Sequence, residues 1–506
     1  MDTQGTPGST PRRTFLKGAA AAAVAAGAAK LSPQASAADP PKSQKIIGIQ
    51  VGSISFLDEG VDQVLDNLQK LGNVNTIFLA TFTYGRGIAG RQIPGQPLPD
   101  HGKQSYDQDT FHGGNYATPH PTYYKDTVLK PQDTKAPDHG NVDILELVLP
   151  KAKQRSLKVF CWYEDVFRSD IPNIQQLQEI DLQGRRRGSL CPYNPDYRNF
   201  LIGLTTDYCA SYDVDGVMWG SERQGPLNNA IGYYHGGRPN PLAVACFCEH
   251  HQKAARERGI NIDRAKAGYQ KLAQYVQAAL SNSRPSDGYF VAFWRLLLEY
   301  PEILAWEKLW SDGQYAVYED VHRAAKSTKA SAQVGLHIWH TNSFSAFFRA
   351  EQDYAALAKV ADCLKVVAYN NCGGPRYVET LNNVGTTIFR DIPKEELLSL
   401  HNHILGYSNE KDFSQLPQSG LSAEYVAAET RRALAGVNGN CAILPGIDID
   451  IPTGRNQKKT KPEDVYQSTS AALKAGAQGV IFSRKYSEMR LDNLAGGGRA
   501  VKEFNL

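Results

Sequence analysis

Several features that would assign this chain to a well-defined class are missing from it. The 506 residues include 55 basic and 52 acidic side chains, a formal net charge of +3, which argues against nucleic acid or an anionic membrane as a partner. The one short basic run, Arg185-Arg186-Arg187, is expected to be a solvated loop. Eight cysteines without a Cys-x-x-Cys pair are too few for a disulfide scaffold in so long a chain. No internal repeat is present either.

Long apolar runs are also scarce, and the single one lies near the start of the chain. Arg12-Arg13 and a Phe-Leu-Lys precede an alanine-rich stretch, Gly18–Ala29, and Ala35-Ser36-Ala37 follows it. This order is typical of a twin-arginine signal peptide, here residues 1–37. The run is too short and too rich in alanine for a spanning helix, which needs about 20 strongly apolar residues. We therefore expect export to the periplasm or the medium, with no membrane segment left after cleavage.

A metal site has only weak support. Cys246-Phe247-Cys248 precedes His250 and His251, which are residue types that ligate zinc. We expect a helix over Leu242–Arg258, where alternate side chains point in different directions, so one ion would need an awkward geometry. The sequence therefore predicts neither a metal nor another cofactor.

The rest of the chain repeats a strand, a loop and a helix, which is typical of parallel strands with helices packed outside them. Eight β-branched or continuously apolar runs have the character of strands buried on both faces. They are Ile46–Ser53, Thr76–Tyr84, Leu157–Glu164, Val214–Glu222, Gln333–His340, Cys363–Asn370, Ala442–Asp450 and Gln478–Tyr486. Eight strands can close a barrel. An open doubly wound sheet is the alternative, but no Gly-rich turn follows the first strand. The fold class predicted is α/β, a (β/α)8 TIM barrel.

The connections between these strands are uneven in length. Three long ones, Gly85–Gly140, Arg223–Ala332 and Asn371–Asn440, follow the carboxyl ends of strands, where barrel enzymes place their chemistry. We interpret them as insertions within one catalytic domain, residues 45–506, with a helical insertion at about 223–332. Helices are expected at Val61–Leu71, Asp143–Arg155, Tyr197–Ser211, Leu242–Arg258, Arg264–Asn282, Tyr289–Trp310, Ala423–Ala435 and Pro462–Ala475.

Carboxylates, imidazoles and aromatic rings are concentrated at the ends of the strands. Such a combination is typical of a sugar site, where flat rings stack on pyranose faces and carboxylates perform acid–base work. The candidates are Trp162, Glu164, Asp165, Trp219, Glu222, His337, Trp339, His340, Tyr369, Asn370, Asp448, Asp450, Arg484 and Tyr486.

One stretch resembles a known group of proteins. Residues Tyr212–Arg223, Tyr-Asp-Val-Asp-Gly-Val-Met-Trp-Gly-Ser-Glu-Arg, are similar to the fourth-strand region of the TIM-barrel glycoside hydrolase superfamily, its glycosyl-hydrolase-like and β-galactosidase-like groups. Asn194–Arg198, Cys246–His251 and Gly259–Asp263 belong to the same pattern, which spans about Cys191–Gly268.

The resemblance implies a role for one residue and a departure at another position. Glu222 occupies the place where many such hydrolases keep the general acid/base. Where the family has a nucleophilic glutamate at the end of the seventh strand, this chain has Asp448 and Asp450, so a retaining mechanism stays open. Retention goes with carboxyl groups about 5–5.5 Å apart, and inversion with about 6.5–9.5 Å.

Elementary chemistry assigns provisional roles. Cleavage of a glycosidic bond needs one protonated and one ionised carboxyl. Glu222, beside Trp219, is expected to be an acid with a raised pKa. Asp448 or Asp450, near Arg484 and Lys485, is expected to be its ionised partner, and alternation along a strand places both aspartates on one side.

The remaining polar candidates serve binding or catalysis. Glu164 and Asp165 suit substrate hydroxyls as well as they suit catalysis. His337 and His340 lie three residues apart on a strand, so only one is expected to enter the barrel mouth.

Three functions fit these residues. The first is an exported glycosidase with a carbohydrate substrate. The second is a metal-dependent sugar isomerase or epimerase, in which Glu164, Glu222, Asp448 and a histidine hold a divalent ion. The third is a non-catalytic carbohydrate-binding barrel. The particular sugar and the oligomeric state stay open.

Overall fold

The structure is a computed structural model that describes residues 45–83, 100–102, 112–165 and 168–505. The signal peptide expected at residues 1–37 lies outside these ranges. The described residues from Lys45 onward pack as one compact unit. Among the helices that are described, none is long and apolar enough to cross a membrane.

All eight strands expected from the sequence are present, and they are parallel to one another. Their bounds are β1 Ile46–Val51, β2 Thr76–Thr83, β3 Lys158–Glu164, β4 Gly216–Gly220, β5 Gln333–Ile338, β6 Cys363–Val366, β7 in two segments, Ala442–Ile443 and Gly446–Asp448, and β8 Gly479–Ser483. Most of their residues are buried, as expected for strands covered on both faces.

The strands form a closed ring. β1 pairs with β2 on one side and with β8 on the other, and pairing continues from β2 through β3, β4 and β5 to β6. The first segment of β7 pairs with β6, through Ala442 and Cys363, and its second segment pairs with β8, through Gly446 and Ile481. The two segments flank Pro445, which has no N–H to donate to a ladder. The ring confirms the (β/α)8 barrel.

Seventeen α-helices lie among the described residues. They are α1 Ser53–Glu59, α2 Val61–Gly72, α3 Ile144–Gln154, α4 Pro195–Ser211, α5 Pro226–Ile231, α6 Glu249–Glu257, α7 Ile262–Leu280, α8 Tyr289–Glu299, α9 Glu302–Thr328, α10 Ala346–Glu351, α11 Tyr354–Leu357, α12 Gly373–Val384, α13 Lys394–Leu405, α14 Leu416–Ser419, α15 Ala423–Val437, α16 Pro462–Lys474 and α17 Leu491–Glu503. Those of the insertion after β4 are α5 to α9.

Two helix expectations were wrong. The helix expected over Tyr289–Trp310 is two helices, α8 and α9, because Pro301 cannot continue the first of them. The helix expected over Leu242–Arg258 begins only at Glu249. The backbone before Glu249 forms a hydrogen bond outside the helix, in which Phe247 N–H donates to the carbonyl of Ile180 at 2.7 Å.

That carbonyl belongs to a hairpin that the sequence did not reveal. Its strands, Gln178–Ile180 and Arg186–Leu190, follow β3 and pair antiparallel. The arginine run, expected to be a solvated loop, enters the second strand. Arg185 Nε donates to the buried Asp181 carboxylate at 2.9 Å, so a local ion pair holds the run against the hairpin.

The lower interior of the barrel is a close-packed apolar layer. Its buried side chains are Phe78, Ala80, Phe160, Trp162, Met218, Cys363, Leu444 and Ile481. Side chains alternate along each strand, so the inward positions toward the carboxyl ends come next above this layer. Gly220 is needed there, because a Cβ atom at this residue would lie 2.6 Å from Cβ of His337. The layer therefore lies directly below the polar residues at the mouth of the barrel.

Candidate active site

A buried lysine occupies the centre of the barrel above the apolar layer. Lys365 is an inward residue of β6 and its side chain is 0% exposed. Its ammonium donates to Gln50 Oε1 at 2.6 Å and to Tyr369 Oη at 2.7 Å, and it lies 3.4 Å from Nδ1 of His337. An ammonium has three N–H donors, so these three partners account for all of them.

The pKa of this lysine lies near neutral pH. Burial lowers the pKa of Lys365 to about 7, although the negative charges of Glu222 and Glu164 act in the opposite direction. The sequence analysis missed this residue. The signal was available, since a lone lysine within an otherwise apolar strand, Cys363–Val366, must be buried with partners.

His337 connects the lysine to the candidate catalytic glutamate. Its Nε2 lies 3.1 Å from Glu222 Oε1. Because Nδ1 faces an N–H of Lys365, the network assigns Nδ1 as the acceptor and Nε2–H as the donor to the carboxylate. Burial, reinforced by the charge of Lys365, lowers the pKa of His337. The imidazole is therefore neutral near pH 7 and holds one oxygen of Glu222 in place.

Glu222 itself is open to a cleft. It follows β4, and its side chain is 39% exposed even though protein surrounds it on several sides. Burial raises the pKa of Glu222, but the hydrogen bond from His337 and the positive charge of Arg376 outweigh it and lower that pKa to about 2. The structure thus reverses the expectation of a raised pKa. Glu222 is an ionised carboxylate at neutral pH.

Asp448 is not open to a ligand. It is 0% exposed, and Oδ2 accepts the backbone N–H of Cys372 at 2.7 Å. Oδ1 accepts the backbone N–H of Asn371 at 3.2 Å. Burial raises its pKa. The carboxyl fixes the turn that follows β6.

Asp450 takes a different direction from Asp448. Its Oδ2 accepts the N–H of Arg490 at 2.7 Å and Nδ2 of Asn493 at 2.8 Å, at the start of α17. The two aspartates were expected to face one side, but β7 ends at Asp448, so strand alternation does not extend to Asp450. Burial raises the pKa of Asp450 to about 7.

The two acids that end β3 differ in their surroundings. Glu164 is buried. Its negative charge opposes the lowering of pKa that burial causes at Lys365 and Lys485, which places it in the same central network. Asp165 is buried in a structural cluster, where it accepts the hydroxyls of Tyr197 and Ser221 and lies 3.1 Å from Arg223 Nε. Arg223 therefore pairs with Asp165 and leaves Glu222 to His337.

The tryptophans expected to stack on sugar are placed differently from one another. Trp162 belongs to the apolar barrel interior. Trp219 faces outward and packs edge-on against Tyr318 of α9, with ring centroids 5.1 Å apart. Both are buried, so neither presents a face to a ligand. Trp339 is partly exposed and packs against His235, at 5.3 Å between centroids.

A second group of expected binding residues surrounds the mouth. His340 is buried, and its Nδ1 lies 3.1 Å from Arg376 Nη1, while Nε2 lies 3.0 Å from Tyr425 Oη. Tyr369 receives the hydrogen bond from Lys365, and the Arg376 guanidinium lies 6.0 Å from its ring centroid. His337 and His340 thus both approach the mouth, because His340 lies on a turn after β5 and not on the strand.

Three further expected binding residues are held by the protein itself. Asn370 Oδ1 accepts the hydroxyl of Ser468 at 2.9 Å. Arg484 forms a two-pronged ion pair with Glu488, at 3.0 and 2.7 Å. Tyr486 donates to Glu59 at 2.9 Å. These contacts position the ends of β6 and β8.

A cleft of about 470 Å³ adjoins Glu222. Residues of the hairpin and of the insertion after β4 wall it, and sequence reasoning missed them. They include Glu179, Arg187, Ser189, Gln224, Asn229, Tyr234, Arg238 and Trp310. Guanidinium, amide, hydroxyl and phenol groups line one space beside an ionised carboxylate.

A separate group of thiols lies behind this wall. The sulfur atoms of Cys191, Cys246 and Cys248 are within 4.8 Å of one another, and all three residues are buried. The helix expected to keep the last two apart does not form there, since Cys248 is only the N-cap of α6. The group has the ligand types for a metal ion. An ion there would join segments of the insertions and would not meet a ligand in the cleft.

Comparison with known proteins shows likeness in fold. No protein-family model matches the chain, and no curated protein does. The β-galactosidase of the Antarctic haloarchaeon Halorubrum lacusprofundi is similar in structure, at 11% identity and a TM-score of 0.50, over 91% of this chain and 58% of that one. So is α-L-fucosidase isoenzyme 2 of Paenibacillus thiaminolyticus, at 12% identity and 0.48, over 91% and 49%.

A third similar structure is the glycoside hydrolase domain of PgaB (BpsB) from Bordetella bronchiseptica, at 12% identity and a TM-score of 0.45, over 91% of this chain and 97% of that one. The structural neighbours are TIM-barrel glycoside hydrolases. At these identities the likeness defines the class of fold. The chain also spans only about half to three-fifths of the length of the first two proteins.

Proposed function

We propose that this protein is a glycoside hydrolase, exported by the twin-arginine route, in which Glu222 is the ionised catalytic carboxylate. The observation that carries the proposal is the connection of Glu222, open to a cleft at the carboxyl end of the barrel, to His337 and the buried Lys365. Catalytic groups of barrel enzymes lie at this end.

The electrostatics supply two carboxyls in opposite states. Glu222, with its pKa lowered to about 2, is ionised and serves as nucleophile or as base toward water. As the general acid we propose Asp450, which follows β7 at the carboxyl end of the barrel, is partly exposed, and has its pKa raised by burial to about 7. From the sequence, Glu222 was expected to be the acid and an aspartate after β7 the ionised partner; here the two roles are reversed. Asp448 supports the turn after β6.

The proton transfers follow from this assignment. As the glycosidic bond breaks, Asp450 gives its proton to the departing oxygen, and positive charge develops on the sugar ring. The Glu222 carboxylate either attacks the anomeric carbon, after which water hydrolyses the glycosyl ester, or takes a proton from the water that attacks this carbon. The hydrogen bond from His337 keeps one carboxylate oxygen directed away, so the other is free to act.

The substrate is an oligo- or polysaccharide outside the cytoplasm. Asn229, Arg238 and Tyr234 line the cleft with groups that bond hydroxyls. Whether the anomeric configuration is retained depends on the separation of the two carboxyls.

The test is hydrolysis of a panel of chromogenic aryl glycosides by the mature protein and by Glu222→Gln. We expect the wild type to release the phenol from at least one sugar, and the variant to lose about 10²–10⁴-fold in turnover. Glu249→Gln, a change at an exposed carboxylate on α6, is the matched control and is expected to leave turnover unchanged. Full activity of a folded Glu222→Gln protein contradicts the assignment.

Two other outcomes separate the alternative functions. No release of phenol from any panel member, together with an isomerisation or epimerisation of free sugars that disappears on chelation while the protein stays folded, favours the sugar isomerase or epimerase. Oligosaccharide binding, measured by calorimetry, without hydrolysis of any panel member favours the carbohydrate-binding barrel.

A further inference from the structure

A second cavity lies outside the barrel, between the helical insertion and the two short helices that follow β5. Its volume is about 700 Å³, and it is bounded by α8, α9 and the segment that joins α10 to α11. Apolar side chains form most of its wall, including Leu227, Leu297, Tyr318, Phe347 and Leu357. Trp294 and Leu304, which are 52% and 44% exposed, also line it and keep apolar surface open to solvent. Pockets of this size and composition are typical of sites for small apolar ligands.

Two glutamates in the wall lie beside each other. They are Glu307 of α9 and Glu351 of α10, and Asn228 Nδ2 donates to both, at 3.1 and 2.8 Å. Glu307 Oε2 also accepts the backbone N–H of Leu227 at 2.7 Å. Burial, together with the charge of Glu307, raises the pKa of Glu351 to about 10. Burial also raises the pKa of Glu307, so the pair resists carrying two negative charges.

The same wall contains an amide without a partner. Gln314 of α9 is 6% exposed, and among the described residues neither its Nε2 nor its Oε1 has a hydrogen-bond partner. An unpartnered buried polar group destabilises the folded protein, because no hydrogen bond offsets its loss of hydration. A polar group of a ligand would remove that cost.

The charges of the lining favour a cation over an anion. Four carboxyl groups contribute to it, those of Glu307, Glu351, Asp312 and Asp353, against one ammonium, that of Lys308. The phenol of Tyr269 lies near the pair, since the charges of Glu307 and Glu351 help to raise its pKa. Tyr315 and Tyr318 also line the cavity.

We propose that this cavity binds an amphiphilic amine, whose apolar body packs against the leucine and aromatic wall and whose ammonium pairs with Glu307 and Glu351. An ammonium beside the two carboxyls favours the ionisation of both, so a proton held by the pair passes to the solvent on binding. The site does not depend on the proposed function of the barrel mouth.

Calorimetry on the whole protein at pH 7.5 with three eight-carbon ligands tests the proposal. Octylamine is expected to bind at least tenfold more tightly than 1-octanol, and octanoate is expected not to bind. Titration in two buffers of different ionisation enthalpy is expected to show release of about one proton per octylamine and none for 1-octanol. Equal affinities for the three ligands, or no binding of octylamine to the folded protein, overturn the proposal.

Three variants locate the site. Glu351→Gln keeps the shape of the pair but cannot ionise, so octylamine affinity is expected to fall at least tenfold and proton release to vanish, with 1-octanol unaffected. Ala350→Trp fills the lining at an exposed position and is expected to abolish binding of both ligands. Ala355→Trp, exposed on the neighbouring α11 and outside the lining, is the control. Wild-type affinity of octylamine for both Glu351→Gln and Ala350→Trp places binding elsewhere and overturns the proposal.

Discussion

Glu222 at the barrel mouth and Glu351 on α10, beside the helical insertion, are two glutamates in opposite environments. Glu222 accepts a hydrogen bond from His337 and faces the charge of Arg376, and its pKa is lowered to about 2. Glu351 faces a second carboxyl, Glu307, and its pKa is raised to about 10. Burial opposes ionisation at both, so the neighbouring group decides the outcome. A carboxylate near donors is prepared for chemistry, whereas a carboxyl near another acid stores a proton.

The largest effect on turnover is expected at Asp450, the proposed acid partner of Glu222. Asp450→Asn removes the proposed general acid, so turnover is expected to fall about 10²–10⁴-fold. In the wild type, turnover is expected to decline above pH 7, because Asp450, with a pKa of about 7, loses its proton there. The pH profile of the residual activity is expected to lack that decline. A variant with wild-type turnover and an unchanged decline would contradict the role.

A smaller effect is expected at Lys365, which acts on Glu222 through His337. Lys365→Met frees Nδ1 of His337, so the imidazole no longer has a fixed donor directed at the carboxylate. We expect turnover to fall about tenfold and the acidic limb of the pH profile to move to higher pH. Lys359→Met, at an exposed lysine, is the control. A loss of turnover without movement of the limb would indicate a merely structural lysine.

The smallest effects are expected in folding stability, and they have opposite signs at the two regions. The pKa of Lys365 is lowered from 10.5 to about 7, so between these values the unfolded chain binds more protons and stability rises with pH. The pKa of Glu351 is raised from 4.5 to about 10, so over that interval the folded protein binds more protons and stability falls with pH.

Urea unfolding at pH 6 and pH 9 measures both slopes. The free energy of unfolding of Lys365→Met, relative to that of the wild type, is expected to be higher at pH 6 than at pH 9. The reason is that the variant has no buried lysine to charge. The free energy of unfolding of Glu351→Gln, relative to that of the wild type, is expected to be higher at pH 9 than at pH 6. Each difference is expected to be about 1 kcal/mol or more, since one unit of pKa corresponds to about 1.4 kcal/mol. Parallel slopes would remove the contrast between the two regions.

Local patterns predicted the barrel well and the site less well. Apolar runs such as Val214–Glu222 and Gln333–His340 mark strands whatever their neighbours, because a strand buried on both faces needs such residues. The expected stacking of Trp219 on sugar was wrong for the same reason that its strand was found. Alternation on β4 sends Trp219 outward to the helices and leaves the inward side to Gly220 and Met218.

By itself the sequence determined the eight strands, most of the helices and the gathering of polar residues at one end of the barrel, because each depends on residues close together along the chain. The protonation of Glu222, the network around Lys365 and the pairing of Glu307 with Glu351 were decided only in the tertiary structure. The pKa of a buried group depends on charges and donors within a few ångströms, and these come from residues distant in sequence. Lys365 and Gln50, 315 positions apart, illustrate this, since closure of the ring brings them together.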